Sequence, residues 1–282
     1  GGHMMVAAGV DTDTGFVLVD DPWPPNTGDS LWISYPDYVS QTGVHTHWVD
    51  YYDIAPAGGP PPSSKIMGTE PMSDEPSAAA PTRHADADAA AHEGLRLLPR
   101  LAEPAARVVG AGPPPDASAL DLGEPFTVKY VQRDTLATYQ SGADPRRLLD
   151  DVGERLYPVL GSGGQTTAAV RVTQRDGEWT VKSVGEPHLA RDVVEVRNRD
   201  AAVTGTALGD YLLVQIPALY QAFVGREDTN GRLVLLPVYD DFEKGMARAE
   251  PGTGDYLLSR LVPDAEQGRS ALAEEGPEGL LL

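Results

Sequence analysis

Apolar and polar positions alternate in short blocks over the first fifty residues. Residues 4–8 and 16–19 are apolar, and Asp11-Thr12-Asp13-Thr14-Gly15 separates them. Short blocks rich in Val, Trp and Tyr and bounded by turn residues predict strands, here near 3–10, 16–20, 31–35 and 46–54, with a second turn over 22–28. The pattern resumes at residue 126, where Phe126-Thr127-Val128-Lys129-Tyr130-Val131 alternates as a strand. Asp144-Pro145 supplies an N-cap followed by Pro at the first helical position. Leu148, Leu149, Val152 and Leu156 follow at helical spacing, so a helix is expected to end before Pro158. Residues 168–172 and 178–184 predict a hairpin around Arg175-Asp176-Gly177. Residues 211–224 and 232–239 predict a second hairpin around 228–231, and Pro217 inside its longer strand predicts an edge position or a bulge. His188, after Pro187, is expected in a loop.

Composition divides the chain more sharply than periodicity does. Residues 1–54 hold no Lys or Arg, eight Asp, three of the six His and three of the four Trp. Residues 55–122 hold 12 of the 25 prolines, and the run Gly58-Gly59-Pro60-Pro61-Pro62-Ser63-Ser64 can continue neither strand nor helix. This part is expected to be a Pro/Ala-rich linker with one ordered stretch. Ala87 to Leu98 are helix formers, and Pro99 and Pro104 should limit that helix. Residues 123–262 predict an α+β domain with mostly antiparallel pairing, and 263–282 an acidic tail.

Charge narrows the function classes. The 282 residues carry 22 Lys+Arg against 42 Asp+Glu, a formal charge of −20. Phosphates are held by Lys and Arg, so neither a nucleic acid nor an anionic membrane surface is an expected partner. There is no Cys, which removes disulfides, thiolate metal sites and a thiol nucleophile from the chain as it stands. No run of about 18 apolar residues predicts a transmembrane helix. Gly1-Gly2-His3-Met4 carries no basic region and no cleavage site, so no signal peptide is expected. The compartment is not legible.

The candidate chemistry lies in the first hairpin. If Val10 faces Phe16, His3 faces Trp23 with Asp21 as its diagonal neighbour; if Gly9 faces Gly15, His3 faces Asp21 directly. A slip of one residue offers Asp20 instead. A carboxylate beside an imidazole fixes its tautomer and favours the imidazolium, which is the orienting half of a nucleophilic triad. No serine sits in a Gly-x-Ser-x-Gly elbow to complete it. His45-x-His47 with Asp50 and Asp53 could bring two imidazoles to one face of a strand. A polar strand face with Trp48 is the reading adopted, and neither a metal nor a cofactor is expected.

Gly2-His3-Met4-Met5-Val6-Ala7-Ala8-Gly9-Val10-Asp11, a turn, and Gly15-Phe16-Val17-Leu18-Val19-Asp20-Asp21-Pro22-Trp23 together resemble the second half of a papain-like cysteine peptidase of the C39-like type. Residues 28–38 and His47-Trp48-Val49-Asp50-Tyr51-Tyr52 fit its following strands. The resemblance implies that His3 is the general base and Asp21 its orienting partner, acting on a Cys carried by an earlier helix. It covers about 55 residues and departs from the family in two ways: the Cys-bearing helix is absent, and Val10 replaces the usual aromatic. It therefore implies either a fragment of a longer protein or a pseudo-peptidase that lost its nucleophile.

The expected fold is thus α+β: the β-rich half of a papain-like domain (1–54), a proline-rich linker (55–122) and a small antiparallel α+β domain (123–262). In the last, Glu154, Glu178 and Glu186 are expected as solvated charges. Phe126, Tyr130, Tyr157, Trp179, Tyr211, Tyr220 and Phe223 are expected in the core. A loose likeness to cystatin-like or similar accessory folds rests on element order alone. Two functions compete. One is a thiol peptidase remnant acting on a protein or peptide substrate. The other is a non-catalytic module that binds a protein or peptide by strand addition on the 211–239 hairpin.

Overall fold

The structure, a computed structural model, describes residues 5–23, 27–41, 45–46, 82–109 and 119–267. In chain order they form β1 (Val6–Asp11), β2 (Phe16–Asp21), β3 (Asp29–Ser34), α1 (Tyr35–Val39), the short pair β4 (Ser40–Gln41) and β5 (His45–Thr46), α2 (Ala87–Val109), β6 (Asp121–Leu122) and β7 (Phe126–Tyr130). There follow α3 (Arg133–Leu136), β8 (Asp150–Leu160), β9 (Thr166–Arg175), β10 (Glu178–Gly185), α4 (Pro187–Thr204), β11 (Leu212–Ile216), β12 (Gln221–Glu227), β13 (Leu233–Pro237), β14 (Gly252–Thr253) and α5 (Gly254–Ser259).

The fold is mixed α+β around one large, open, mostly antiparallel sheet. Its order is β1-β2-β3-β10-β9-β8-β7-β11-β12-β13-β14, with β6 beside β8. Among the described residues only the β7–β11 pair is parallel. The sheet crosses the compositional boundary seen in the sequence: β3 of the first segment pairs with β10 of the third, Trp32 opposite Val184.

Helices cover both faces. On one face, α4 lays Leu189, Ala190, Val193 and Val196 against Phe126, Val128, Leu156, Leu213 and Val224. On the other, α2 covers Val170, Val172, Val181 and Val184. Further along that second face, Leu136 of α3 and Leu257 and Leu258 of α5 pack on Val214, Ile216, Phe223 and Leu235.

Several expectations fail for identifiable reasons. The helix over 145–157 is a 3-10 turn, Pro145–Leu148, followed by strand β8. Leu156 faces α4 while Tyr157 and Val159 face α2, and a strand buried on both faces loses the alternation that would distinguish it. Gly153, at φ +67 within a bulge, also has no place in a helix.

Helix α2 runs through both Pro99 and Pro104 instead of stopping. A proline inside a helix costs about 3 kcal/mol. Burial of Leu101 beyond Pro99, at about 1.5–3 kcal/mol, is of the size to offset one such cost. The stretch 187–204, expected to begin as a loop, is α4; its inward stripe includes Arg197 and Asp200, which hide its amphipathic pattern.

Residues 211–224 are not one strand. Pro217–Leu219 turn the chain, and Tyr220 at φ +52 closes a tight hairpin between β11 and β12. The 211–239 hairpin was expected to have an open face, yet its strands lie inside the sheet and are covered on both faces. The tail begins later than expected, since 262–267 is helical and Ala265 is fully buried. The hairpin around Arg175-Asp176-Gly177 forms as expected. Asp176 and Gly177 both take positive φ, the geometry of a two-residue turn between twisted strands.

Gly185 is where the two segments meet most closely. Its φ is +131, and a Cβ there would lie 2.7 Å from the Ser30 carbonyl oxygen and 2.9 Å from Leu31 Cα. Backbone atoms on both sides cannot yield as a flexible side chain would. Gly185→Ala should therefore destabilise the protein by about 2 kcal/mol or more, read as a lowered urea midpoint. An unchanged midpoint would mean that β3 is not held against β10 as described.

Candidate functional site

Sequence reasoning places the chemistry at the first hairpin, and the register decides what can meet there. Near the loop the pairing is Asp11↔Phe16, Val10↔Val17 and Gly9↔Leu18, one residue away from the Val10–Phe16 register. A bulge at Ala8 takes up that residue. Beyond it, Ala7↔Val19 and Val6↔Asp20 follow the register in which Val10 would face Phe16. The chain thus enters β1 at the Asp20–Asp21 end of β2. His3 lies outside the described residues.

Asp21 is half-buried at the end of β2, where Pro22 stops the strand. Its Oδ1 accepts the Trp23 backbone N–H at 2.8 Å, an Asx-turn that fixes the carboxylate. Asp20 points to the other face and accepts the Ser30 hydroxyl at 2.6 Å. Trp23 donates its indole N–H to the Tyr220 carbonyl at 3.0 Å and meets Tyr239 edge-on at 5.3 Å. This end of the hairpin is therefore seated on the β11–β12 turn and on the residues after β13.

Directly opposite Asp21 on β3 stands Asp29, which sequence reasoning did not single out. Asp29 is 8% exposed, and its two carboxylate oxygens accept the backbone N–H groups of His188 (3.0 Å) and Leu189 (2.9 Å). A residue 159 positions away thereby caps α4, while the local N-cap, Glu186, turns its side chain elsewhere. His188 lies at the second position of α4 and not in a loop. Burial pushes the Asp29 carboxyl up to about 7; the two N–H groups pull the other way, and the charges of Glu186 and Asp21 add to the rise.

Behind Asp29 lies a buried ionic network. The Arg171 guanidinium, 5% exposed, bonds Glu186 through Nε and a terminal nitrogen at 2.9–3.1 Å, and donates to Gln215 at 2.9 Å. Ser183 donates to Glu186 at 3.1 Å. Glu154 receives Lys182 at 2.5 Å and the Tyr130 hydroxyl at 3.2 Å. Asp37 of α1 is bound by Ser34 and Arg175. Burial works against the Arg171 charge, but Glu186, Tyr130 and Glu154 outweigh it and hold the group above its ordinary value. Burial holds Asp37 above its ordinary value despite Ser34, Lys182 and Arg175.

The expectation that Glu154 and Glu186 are solvated is thus wrong, whereas Glu178 is exposed and pairs with Arg83 at 2.8 Å. The available signal was a charge inside each apolar run, Val170-Arg171-Val172 and Val181-Lys182-Ser183-Val184. Of the aromatics expected in the core, Phe126, Tyr130, Tyr157, Tyr211 and Phe223 are buried; Trp179 is half-buried and Tyr220 is 43% exposed.

As chemistry, the hairpin end offers a fixed carboxylate, Asp21, beside a second one that can hold a proton. Among the described residues it offers no nucleophile: Ser30 and Ser183 are tied to carboxylates. His45 lies in β5, and His47, Asp50 and Asp53 fall outside the described residues. Among the described residues no cluster of three or more metal-ligating side chains exists, and no helix is long and apolar enough to cross a membrane. No family model matches the chain, and neither a curated protein nor a solved structure matches it.

Asp29 gives the site a testable pH signature. Below about pH 4 the group is protonated in folded and unfolded chains alike. Between there and about 7 only the unfolded chain releases the proton, so stability falls as pH rises, by up to about 1.4 kcal/mol per unit, and levels off above. Asp29→Asn retains an acceptor for one N–H and cannot titrate. The excess stability of the native protein over this variant, read from urea unfolding, should shrink by about 3 kcal/mol from about pH 4.5 to 7.5. A difference that stays flat or grows would mean that Asp29 is already ionised in the folded protein.

Proposed function

We propose that residues 1–54 are the base-and-acid half of a papain-like, C39-like cysteine peptidase, joined to an accessory α+β body and inactive without a thiol from outside this sequence. The observation that carries the reading is the end of the first hairpin. Asp21 stands at the strand terminus before Pro22 with its carboxylate fixed by the Trp23 N–H, and the strand preceded by His3 enters β1 at that end. In such a site Asp21 would orient the His3 imidazole. The imidazole would take the proton of the Cys thiol, the thiolate would attack the peptide carbonyl, and the imidazolium would return the proton to the leaving amine. The substrate class is a protein or peptide; the charge of −20 weighs against nucleic acid and anionic membrane partners.

One observation favours the second reading, a non-catalytic module that binds a protein or peptide. Among the described strands β1 is an edge, and its Val6 and Val10 are 64% and 65% exposed. An extended peptide could add there, in place of the covered 211–239 hairpin.

The 282-residue chain should not hydrolyse peptides, because an imidazole and a carboxylate cannot replace the nucleophile. The deciding comparison uses the polypeptide extended upstream to its native start. If it carries a Cys on a helix, its alkylation by iodoacetamide near neutral pH should be fast, and His3→Ala should slow it by about tenfold or more. A rate that His3→Ala leaves unchanged would overturn the peptidase reading, as would an extension without Cys.

A further inference from the structure

The chain contains three asparagines, and Asn230 alone is followed by glycine. It lies in the stretch Asp228 to Arg232 that turns β12 into β13 between the register partners Glu227 and Leu233. Asn230 is exposed. Gly231 takes φ +71, and no atom lies within 4 Å of the place where a Cβ would stand. An exposed Asn-Gly has a chemistry of its own. The glycine nitrogen is the least hindered backbone nucleophile that an asparagine side chain can meet.

The turn holds that nitrogen back. The Gly231 N–H donates to the Asp228 carbonyl at 2.9 Å, and the Asp228 N–H to the Arg232 carbonyl at 2.9 Å. The Asp228 carboxylate accepts the Asn230 N–H at 2.8 Å and the Arg232 N–H at 2.9 Å, and pairs with the Arg232 guanidinium at 2.7 Å. Arg146 donates to the Gly231 carbonyl at 3.2 Å. This clamp must open before the Gly231 nitrogen can leave its hydrogen bond and reach the Asn230 side chain.

We propose that Asn230 is a site of spontaneous deamidation paced by the Asp228 clamp. The Gly231 nitrogen gives its proton to solvent base and attacks Asn230 Cγ. The N–Cγ bond forms, and the side-chain nitrogen takes a proton from water and leaves as ammonia. One water then opens the resulting five-membered imide, at Cγ to give aspartate or at the backbone carbonyl carbon to give isoaspartate. In sum, an amide and a water become a carboxylic acid and ammonia, with no oxidant, reductant or cofactor. Isoaspartate adds a methylene to the main chain, so the Gly231 N–H no longer falls opposite the Asp228 carbonyl. The site uses no residue of the first hairpin and is independent of the peptidase reading.

The test incubates the full chain at mildly alkaline pH, in buffer and in urea. The tryptic peptide Glu227–Arg232, released by cleavage after Arg226 and Arg232, is then followed by mass spectrometry. The expected product has its amide nitrogen replaced by oxygen and separates into isoaspartate and aspartate species. The native chain should convert more slowly than the unfolded one by about fivefold or more, since a single net hydrogen bond in the clamp is worth about that factor. Asp228→Ala should speed conversion in buffer by a similar factor and leave the rate in urea unchanged. Asp228→Ser, which keeps an oxygen for the Asn230 N–H, should fall between, and unfolding midpoints establish that both variants fold. A native chain that shows no product at Asn230 after the unfolded chain has fully converted overturns the proposal. So does a native rate equal to the unfolded one, or a rate in buffer that Asp228→Ala leaves unchanged.

Discussion

Arg171 sits in the middle of the sheet with its guanidinium withdrawn from water, and much of the surrounding structure follows from satisfying it. Removing one partner from such a buried pair costs about 3–5 kcal/mol, because the remaining charge is stranded. The partner is Glu186, which reaches Arg171 because Gly185 and Glu186 both take positive φ and turn the chain sharply at the end of β10. That turn launches α4 at once, with Pro187 at its first position and Glu186 no longer able to cap it. The exposed N–H groups need another acceptor, and Asp29 of β3 supplies it. One buried cation thus sets the direction of α4 and requires a carboxylate from the opposite segment of the chain.

Much of the strand pattern was legible because turn chemistry is local. Asp176-Gly177 and Asp228 to Gly231 mark their hairpins by residues that accept positive φ or bond their own backbone. What was not legible depends on partners distant in sequence. Leu148, Leu149, Val152 and Leu156 fit a helical period, but the strand they join is buried on both faces, and only the sheet around it explains why. The N-terminus of α4 lacked a local capping signal because its cap is Asp29, in another segment. Glu154 and Glu186 looked like surface charges because their cations, Lys182 and Arg171, are separated from them by other strands or positions in the ladder. Of the candidate site, Asp21 and its turn could be read directly. The bulge at Ala8, which sets what faces Asp21, could not, since Gly9 permits a bulge but does not fix where the extra residue falls.

The attachment of the hairpin bears on either function. Asp21 stands beside Asp29, Asp29 holds α4, and Trp23 is bonded to the Tyr220 carbonyl, so the strand end is fixed from three directions. A catalytic carboxylate needs such support, since a site held loosely by about 1 Å loses much of its effect. Strand addition at β1 would gain from it equally, because an edge already anchored through β2 and β3 has little ordering left to do when a peptide arrives. Rigidity at this end therefore does not choose between the readings. The choice rests on a thiol, which neither the fold nor the charge pattern supplies.

Charge nonetheless explains why the two segments share a sheet. Residues 1–54 contain eight Asp and no Lys or Arg, so no carboxylate buried there can find a cationic side chain within its own segment. Asp37, 2% exposed, takes Arg175 from β9, and Asp29 takes backbone N–H groups from α4. Even the exposed Asp13 is met by Arg100 of α2, at 3.2 Å. Separated from the rest, the first segment would have to leave these carboxylates in water, and with them the ends of β2 and β3 that they hold. Its hydrophobic positions determine that it forms strands. Its lack of cations means that Asp37, buried within it, takes its cation, Arg175, from the other segment.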